Sequence, residues 1–176
     1  MADHSRIEWT EATWNPVTGC SLVSPGCTNC YAMKLAGGRL KHHPSRAGLT
    51  QDSKSGPVWT GEVRLNENWL DQPQRWRRAR HIFVCAHGDL FHETVPDTWS
   101  DQIFAVMALC PQHTFQVLTK RPAMARSYFR DGKWRWRVAD ILTHKYRETG
   151  TAAMLSSAQW RYLPNVWLGV SVEDQT

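Results

Sequence analysis

The sequence predicts an α/β fold carried by a parallel sheet, and three observations point that way. Apolar bursts of strand length alternate with segments of helical pattern, in the order strand, helix, strand, helix, strand, which is the rhythm of βαβ units. Each burst then turns polar in the same sense, at His87-Gly88-Asp89, Thr119-Lys120-Arg121 and Ser171-Val172-Glu173-Asp174. In parallel sheets the chemistry gathers where strands finish. The chain of 176 residues, 41% hydrophobic, is also long enough for one domain with a sizeable core, and residues 1–176 are read as a single domain.

In chain order, residues 7–19 mix β-formers with a proline turn and lead into a cysteine loop at 19–33. CTNCYAMKLAGGRL predicts a helix from about Thr28, stopped by Gly37-Gly38. Residues 41–60 are polar and rich in Gly, Pro and Ser, which predicts a long flexible loop. GEVRLNENWLDQP offers a short strand and then a turn of helix. HIFVCAHGD is the clearest strand, bounded by charge and glycine. In VPDTWSDQIFAVMALCP, Asp97 or Thr98 is placed to cap a helix whose apolar positions are Ile103, Phe104, Met107 and Ala108, with Pro111 just past its end. HTFQVLTKRP is a second strong strand. MARSYFRDGKWRWRVADILTHKYRETG reads as helix with a break at Asp131-Gly132, and NVWLGVSVEDQT as a last strand.

No apolar run approaches the roughly 18 residues of a membrane span, and the first residues lack the charged-then-apolar pattern of a signal peptide. A cytoplasmic location is the expectation, and there close-set thiols favour metal or catalysis over disulfides. The net charge of +5 favours an anionic partner. Residues 75–80 (RWRRAR) and 133–137 (KWRWR) interleave cations with some of the ten tryptophans. Arg75, Trp76, Arg77, Arg78, Lys133, Trp134, Arg135, Trp136 and Arg137 are therefore candidate contacts to a phosphate backbone and exposed bases. The competing explanation is a solvated helix face on which arginine stems pack against indoles.

Cys20, Cys27 and Cys30 are spaced C-x6-C-x2-C, with Pro25 and Gly26 tightening the loop between them. Cys85 sits in a strand and Cys110 at a helix end, where both are expected to be small buried hydrophobes. Zinc suits Cys27 and Cys30, with Cys20 and either His42 or His43 completing four ligands. Those histidines, however, follow Gly37-Gly38 in a polar stretch. An iron–sulfur cluster needs only thiolates, and three of them leave one iron open to a small molecule. The spacing admits both, and the three thiols are expected to converge without Cys85 or Cys110.

The stretch from Ile7 to Leu40, with GDLFHETVPD, FQVLTKRP and NVWLGVSVEDQ, resembles the phage-associated three-cysteine-motif family, which is itself similar to radical S-adenosylmethionine (SAM) enzymes. The resemblance runs over nearly the whole chain. It implies a partial (β/α) barrel with a [4Fe–4S] cluster on Cys20, Cys27 and Cys30, whose open iron SAM chelates through its amino and carboxylate groups. One electron from the cluster would cleave SAM to a 5′-deoxyadenosyl radical that abstracts hydrogen from a substrate. Similarity to a radical SAM lyase that repairs DNA lesions adds nucleic acid as a candidate substrate. The motif departs from the usual C-x3-C-x2-C pattern with its aromatic before the third cysteine: the first gap is six, Asn29 precedes Cys30 and Tyr31 follows it, and no Gly-Gly-Glu-Pro stretch is present. Asp89 is then the candidate for the SAM amino group, and Lys120 and Glu173 for its carboxylate and ribose hydroxyls, by strand-end position and charge. A whole (β/α)8 barrel takes about 250 residues. Four or five strands are counted here and the last is followed by no helix, so the sequence predicts a barrel incomplete at its C-terminus with an apolar edge prone to association. The alternative to an enzyme is a metal-stabilised module that binds nucleic acid without chemistry.

Overall fold

A computed structural model of the chain describes residues 7–157 and 162–172. Strands β1 (Ala12–Trp14) and β2 (Val17–Thr18) precede the cysteine loop, which passes through a 3-10 turn (Pro25–Asn29) into α1 (Tyr31–Gly37). Then come β3 (Thr50–Ser53), β4 (Gly56–Trp59), β5 (Arg64–Leu65), a 3-10 turn (Glu67–Trp69) and α2 (Gln72–Arg75). The remainder is β6 (His81–Val84), α3 (Asp97–Ala108), β7 (Thr114–Thr119), α4 (Pro122–Phe129), α5 (Trp134–His144), α6 (Thr149–Ser156) and β8 (Val166–Val170).

Four strands form one parallel sheet in the order β1-β6-β7-β8. The register pairs Ala12 with Ile82, Ile82 with Phe115, and Phe115 with Val166. Parallel neighbours need crossovers, and α3 links β6 to β7 while α4, α5 and α6 link β7 to β8. The expected mixed α/β architecture with a parallel sheet is therefore present. The sheet is open: among the described residues β1 and β8 are its two edges.

Period-two burial decides which face is covered. In β7, Phe115, Val117 and Thr119 are buried and the residues between them are not. Phe115 and Val117 join Ala12, Trp14, Ile82 and Val84 in one core with Ile103, Phe104 and Met107 of α3 and Val138 and Leu142 of α5. Each buried Val, Ile, Leu, Phe or Met among them contributes about 1.5–3 kcal/mol by leaving water. In β8, by contrast, Trp167, Leu168 and Val170 are about half exposed.

Four expectations change. The stretch 41–60 is not all loop, because β3 and β4 pair as an antiparallel hairpin closed at Gly56, whose φ is +109. Its strand residues are exposed or half-buried apart from Trp59, so no apolar alternation announced them. The first helix starts at Tyr31 rather than Thr28, because the 3-10 turn occupies the loop before it. Pro96 holds the cap position of α3, with no side-chain cap, and Asp97 is that helix's first residue. Finally, Arg147 takes a left-handed φ of +59 and ends the long helical stretch. A separate α6 follows, capped by Glu148 accepting from the Thr151 amide.

Candidate metal and ligand cavity

The cysteine loop is aimed by two glycines. Gly19 has a φ of +95, and its missing side chain lets the Glu62 carbonyl oxygen lie 2.2 Å from where a Cβ would stand. It forms a parallel bridge with Gly88, and its amide donates to the His87 carbonyl at 3.1 Å. Cys20 therefore leaves from the carboxyl end of the sheet. Within the loop the Cys27 amide donates to the Ser24 carbonyl, Thr28 Oγ1 to the Pro25 carbonyl at 2.7 Å, and the Cys30 amide to the Cys27 carbonyl. Successive turns thus set the cysteine backbone before any ligand is considered. Beneath it, α1 packs on the hairpin through Ala32, Met33, Ala36, Leu49 and Trp59, with Cys20 and Cys30 against this small cluster.

Cys20, Cys27 and Cys30 all line a single cavity of about 320 Å³, a volume suited to a small ligand. Gly88 and Asp89 reach it from the end of β6, Lys120 and Arg121 from the end of β7, and Ser171 from the end of β8. Tyr31, Trp59, Phe83 and Leu118 supply apolar wall. Every predicted site residue within the described part is thus on one cavity, whereas Glu173 lies outside the described residues. Cys85 and Cys110 are buried and do not line it. Nor do His42 and His43; His43 Nδ1 pairs with Ser45 Oγ at 2.7 Å.

The donor set suits a group held by thiolates, with an open side where Lys120 and Ser171 face the same space. Among the described residues, no three His, Cys, Asp or Glu side chains gather around one point as a single ion requires. The three cysteines share the lining of the one cavity.

Behind the cavity stands a network the sequence did not disclose. Asp89, which is 4% exposed, accepts from the Phe91 amide (3.0 Å), Thr119 Oγ1 (2.7 Å), the Lys120 amide (3.1 Å) and Arg121 Nη1 (3.2 Å). Its carboxylate is occupied in tying β6 to β7. Arg121 also donates from Nε to Glu93 at 2.8 Å, from Nη1 to Cys20 Sγ at 3.4 Å, and from Nη2 to the Ser21 carbonyl and hydroxyl. His92 Nδ1 accepts from the Thr94 amide at 3.2 Å, so its Nε2–H faces Ser21 Oγ at 2.9 Å. Burial and the Arg121 charge hold this imidazole below its ordinary pKa.

The thiols differ in acidity. Burial pushes Cys20 up to about 11, with Arg121 opposing. Burial also works against the Cys27 thiolate, but hydrogen bonds from Val23 and Ser24 and the Lys120 charge outweigh it, leaving Cys27 below its usual value. Deeper still, Arg46 Nη2 donates to His87 Nδ1 at 2.7 Å, and burial with the Arg46 charge lowers His87 to about 4.

The basic segments divide. Trp76 and Trp134 are buried core residues and offer no face to a base. Arg75 pairs with Asp71, Lys133 with Asp131, and Arg137 with Asp97 and Asp101. Arg135 lies against the Gly132 and Ser157 carbonyls. Arg77, Arg78 and Trp136 stand at the surface. Glu93, His92 and Ser21 are neighbours of the cavity that the sequence reading did not single out, and Arg121 was named only as part of a polar strand end. Their one available signal was position, inside or beside motifs already singled out.

Among the described residues no helix is long and apolar enough to cross a membrane. A family model described as "Protein of unknown function (DUF5131)" matches residues 4–176. No curated protein and no solved structure matches.

Proposed function

We propose that this chain, which belongs to the DUF5131 family, is a radical-SAM-like iron–sulfur protein whose Cys20, Cys27 and Cys30 hold a [4Fe–4S] cluster. The observation that carries the reading is the shared cavity: one loop's three cysteines meet the carboxyl ends of β6, β7 and β8 there. Three thiolates of one loop and no histidine on the same cavity are the ligand set that a [4Fe–4S] cluster with one open iron would use. The open four-stranded sheet is read as part of a (β/α) barrel, whose ligands also sit at the carboxyl edge. When bound, the cluster supplies an electron for reductive cleavage of SAM and hydrogen abstraction from a substrate.

The chain's own residues prepare that site. The Cys27 thiol, held below its usual value, enters as thiolate more readily than Cys20, which burial pushes up. Lys120 offers a cation to a ligand carboxylate. Tyr31, Trp59, Phe83 and Leu118 exclude water from one side, which strengthens every charge interaction inside. Asp89 works mainly by holding the strand ends in register, since four donors already claim its oxygens. Arg77, Arg78 and Trp136 are the surface part of the basic segments through which a nucleic-acid substrate would be met.

Anaerobic purification and reconstitution test the proposal. A brown protein with broad absorbance near ~400 nm and about four irons per chain is expected. Substituting Cys20, Cys27 or Cys30 by Ala should remove most of that iron, and SAM with a strong reductant should yield 5′-deoxyadenosine. A colourless protein with one zinc, or full iron retention in the triple Cys→Ala variant, would overturn the reading.

A further inference from the structure

Arg121 has five N–H donors, and all five are engaged inside the protein. Nε meets Glu93 Oε2; Nη1 meets Cys20 Sγ and Asp89 Oδ2; Nη2 meets the carbonyl and hydroxyl oxygens of Ser21. The side chain is only 3% exposed. A guanidinium so occupied has no donor left for a ligand carboxylate or phosphate, although it stands on the cavity wall. Its backbone is fixed as well, because the Arg121 amide donates to Thr119 Oγ1, which itself donates to Asp89. The fork therefore runs from the end of β7 to the first cysteine, 101 residues away in sequence, with Asp89 and Glu93 holding it from behind.

We infer that Arg121 is a positioning residue that orients the Cys20 sulfur and raises the reduction potential of the cluster that sulfur would help hold. The inference rests on the cluster reading above. A ligand sulfur carries more negative charge when its cluster is reduced, so an N–H aimed at it stabilises the reduced state more than the oxidised one. Asp89 and Glu93 offset the net charge of Arg121, which leaves the directed bond, rather than bulk positive charge, as the operative feature. Arg121→Lys is accordingly the discriminating variant: it keeps the cation and loses the planar fork.

Two measurements decide. In wild-type protein labelled with 15N-arginine, pulsed EPR of the reduced cluster should reveal a nitrogen coupling carried through the N–H···S bond. In a potentiometric titration, Arg121→Lys should lower the reduced fraction by about tenfold at a given potential, a shift near 59 mV for one electron, with iron content unchanged. A wild-type potential in that variant overturns the inference. If the variant does not fold, the labelled wild type decides alone, and no 15N coupling overturns it. Iron-free wild-type protein would remove the cluster reading and this inference together, whereas a loaded cluster with neither effect removes only this inference.

Discussion

Gly19→Ala separates steric cost from backbone cost at the joint that aims the cysteine loop. An alanine Cβ there would stand 2.2 Å from the Glu62 carbonyl oxygen and 3.1 Å from Val63 Cα, where ordinary contact begins at 3.4 Å. The Glu62 side cannot easily yield. It leads into β5, which pairs with β2 through Val17–Leu65 and Thr18–Arg64, and Asn66 is bonded to Pro16 at 2.7 Å. Gly61 is the control: its φ is +89, close to the +95 of Gly19, but nothing lies within 4 Å of its added Cβ. Both substitutions incur about 1–2 kcal/mol for a left-handed alanine, and only Gly19→Ala adds about 1–3 kcal/mol of forced displacement. Denaturant unfolding should therefore place Gly19→Ala about 2 kcal/mol below Gly61→Ala, or about 4–8 °C in Tm for a domain of this size. Iron content after reconstitution should fall in the first and hold in the second. Equal stability of the two variants would refute the argument that this close approach is rigid.

Two further outcomes are expected. Trp134 sits among Phe104, Phe129 and Tyr128 at centroid distances of 5.4–6.4 Å, so Trp134→Ala should lose about 3–5 kcal/mol, whereas Trp136→Ala at the surface should stay within about 0.5 kcal/mol, both read by urea midpoints. His87 has its folded pKa lowered from 6.5 to about 4, so the fold favours its neutral form. That contribution is complete above about pH 6.5 and is lost as pH falls toward 4, up to about 3 kcal/mol. His87→Gln keeps an acceptor for Arg46 and should flatten the stability profile between those values; parallel wild-type and variant profiles would sink the assignment.

What the sequence disclosed follows from where each signal resides. β6, β7 and α3 were legible because their apolar residues recur at the spacing the core requires, and strand ends located Asp89 and Lys120 because polarity must rise where the chain leaves the sheet. The hairpin β3–β4 was hidden because its pairing rests on backbone bonds and one buried residue, Trp59. Trp76 and Trp134 misled because interleaved arginines look alike whether an indole faces solvent or core. Arg121 was beyond reach for another reason. Its partners Cys20, Ser21, Asp89 and Glu93 lie roughly thirty to one hundred residues away, and only tertiary structure brings them together.

The strand order has a consequence for the sequence of events in folding. β1 is three residues long and its sheet neighbour is β6, with Glu11 and His81 joined across 70 residues. A strand so short cannot hold its place before β6 arrives, and closing so long a loop delays the pairing. The segment carrying the three thiols is the interior of that loop. During synthesis it emerges long before the strands that wall its cavity, with β8 last. The nascent protein therefore passes through a period in which three thiols are tethered together and unshielded, and they are enclosed only when β6, β7 and β8 dock in turn.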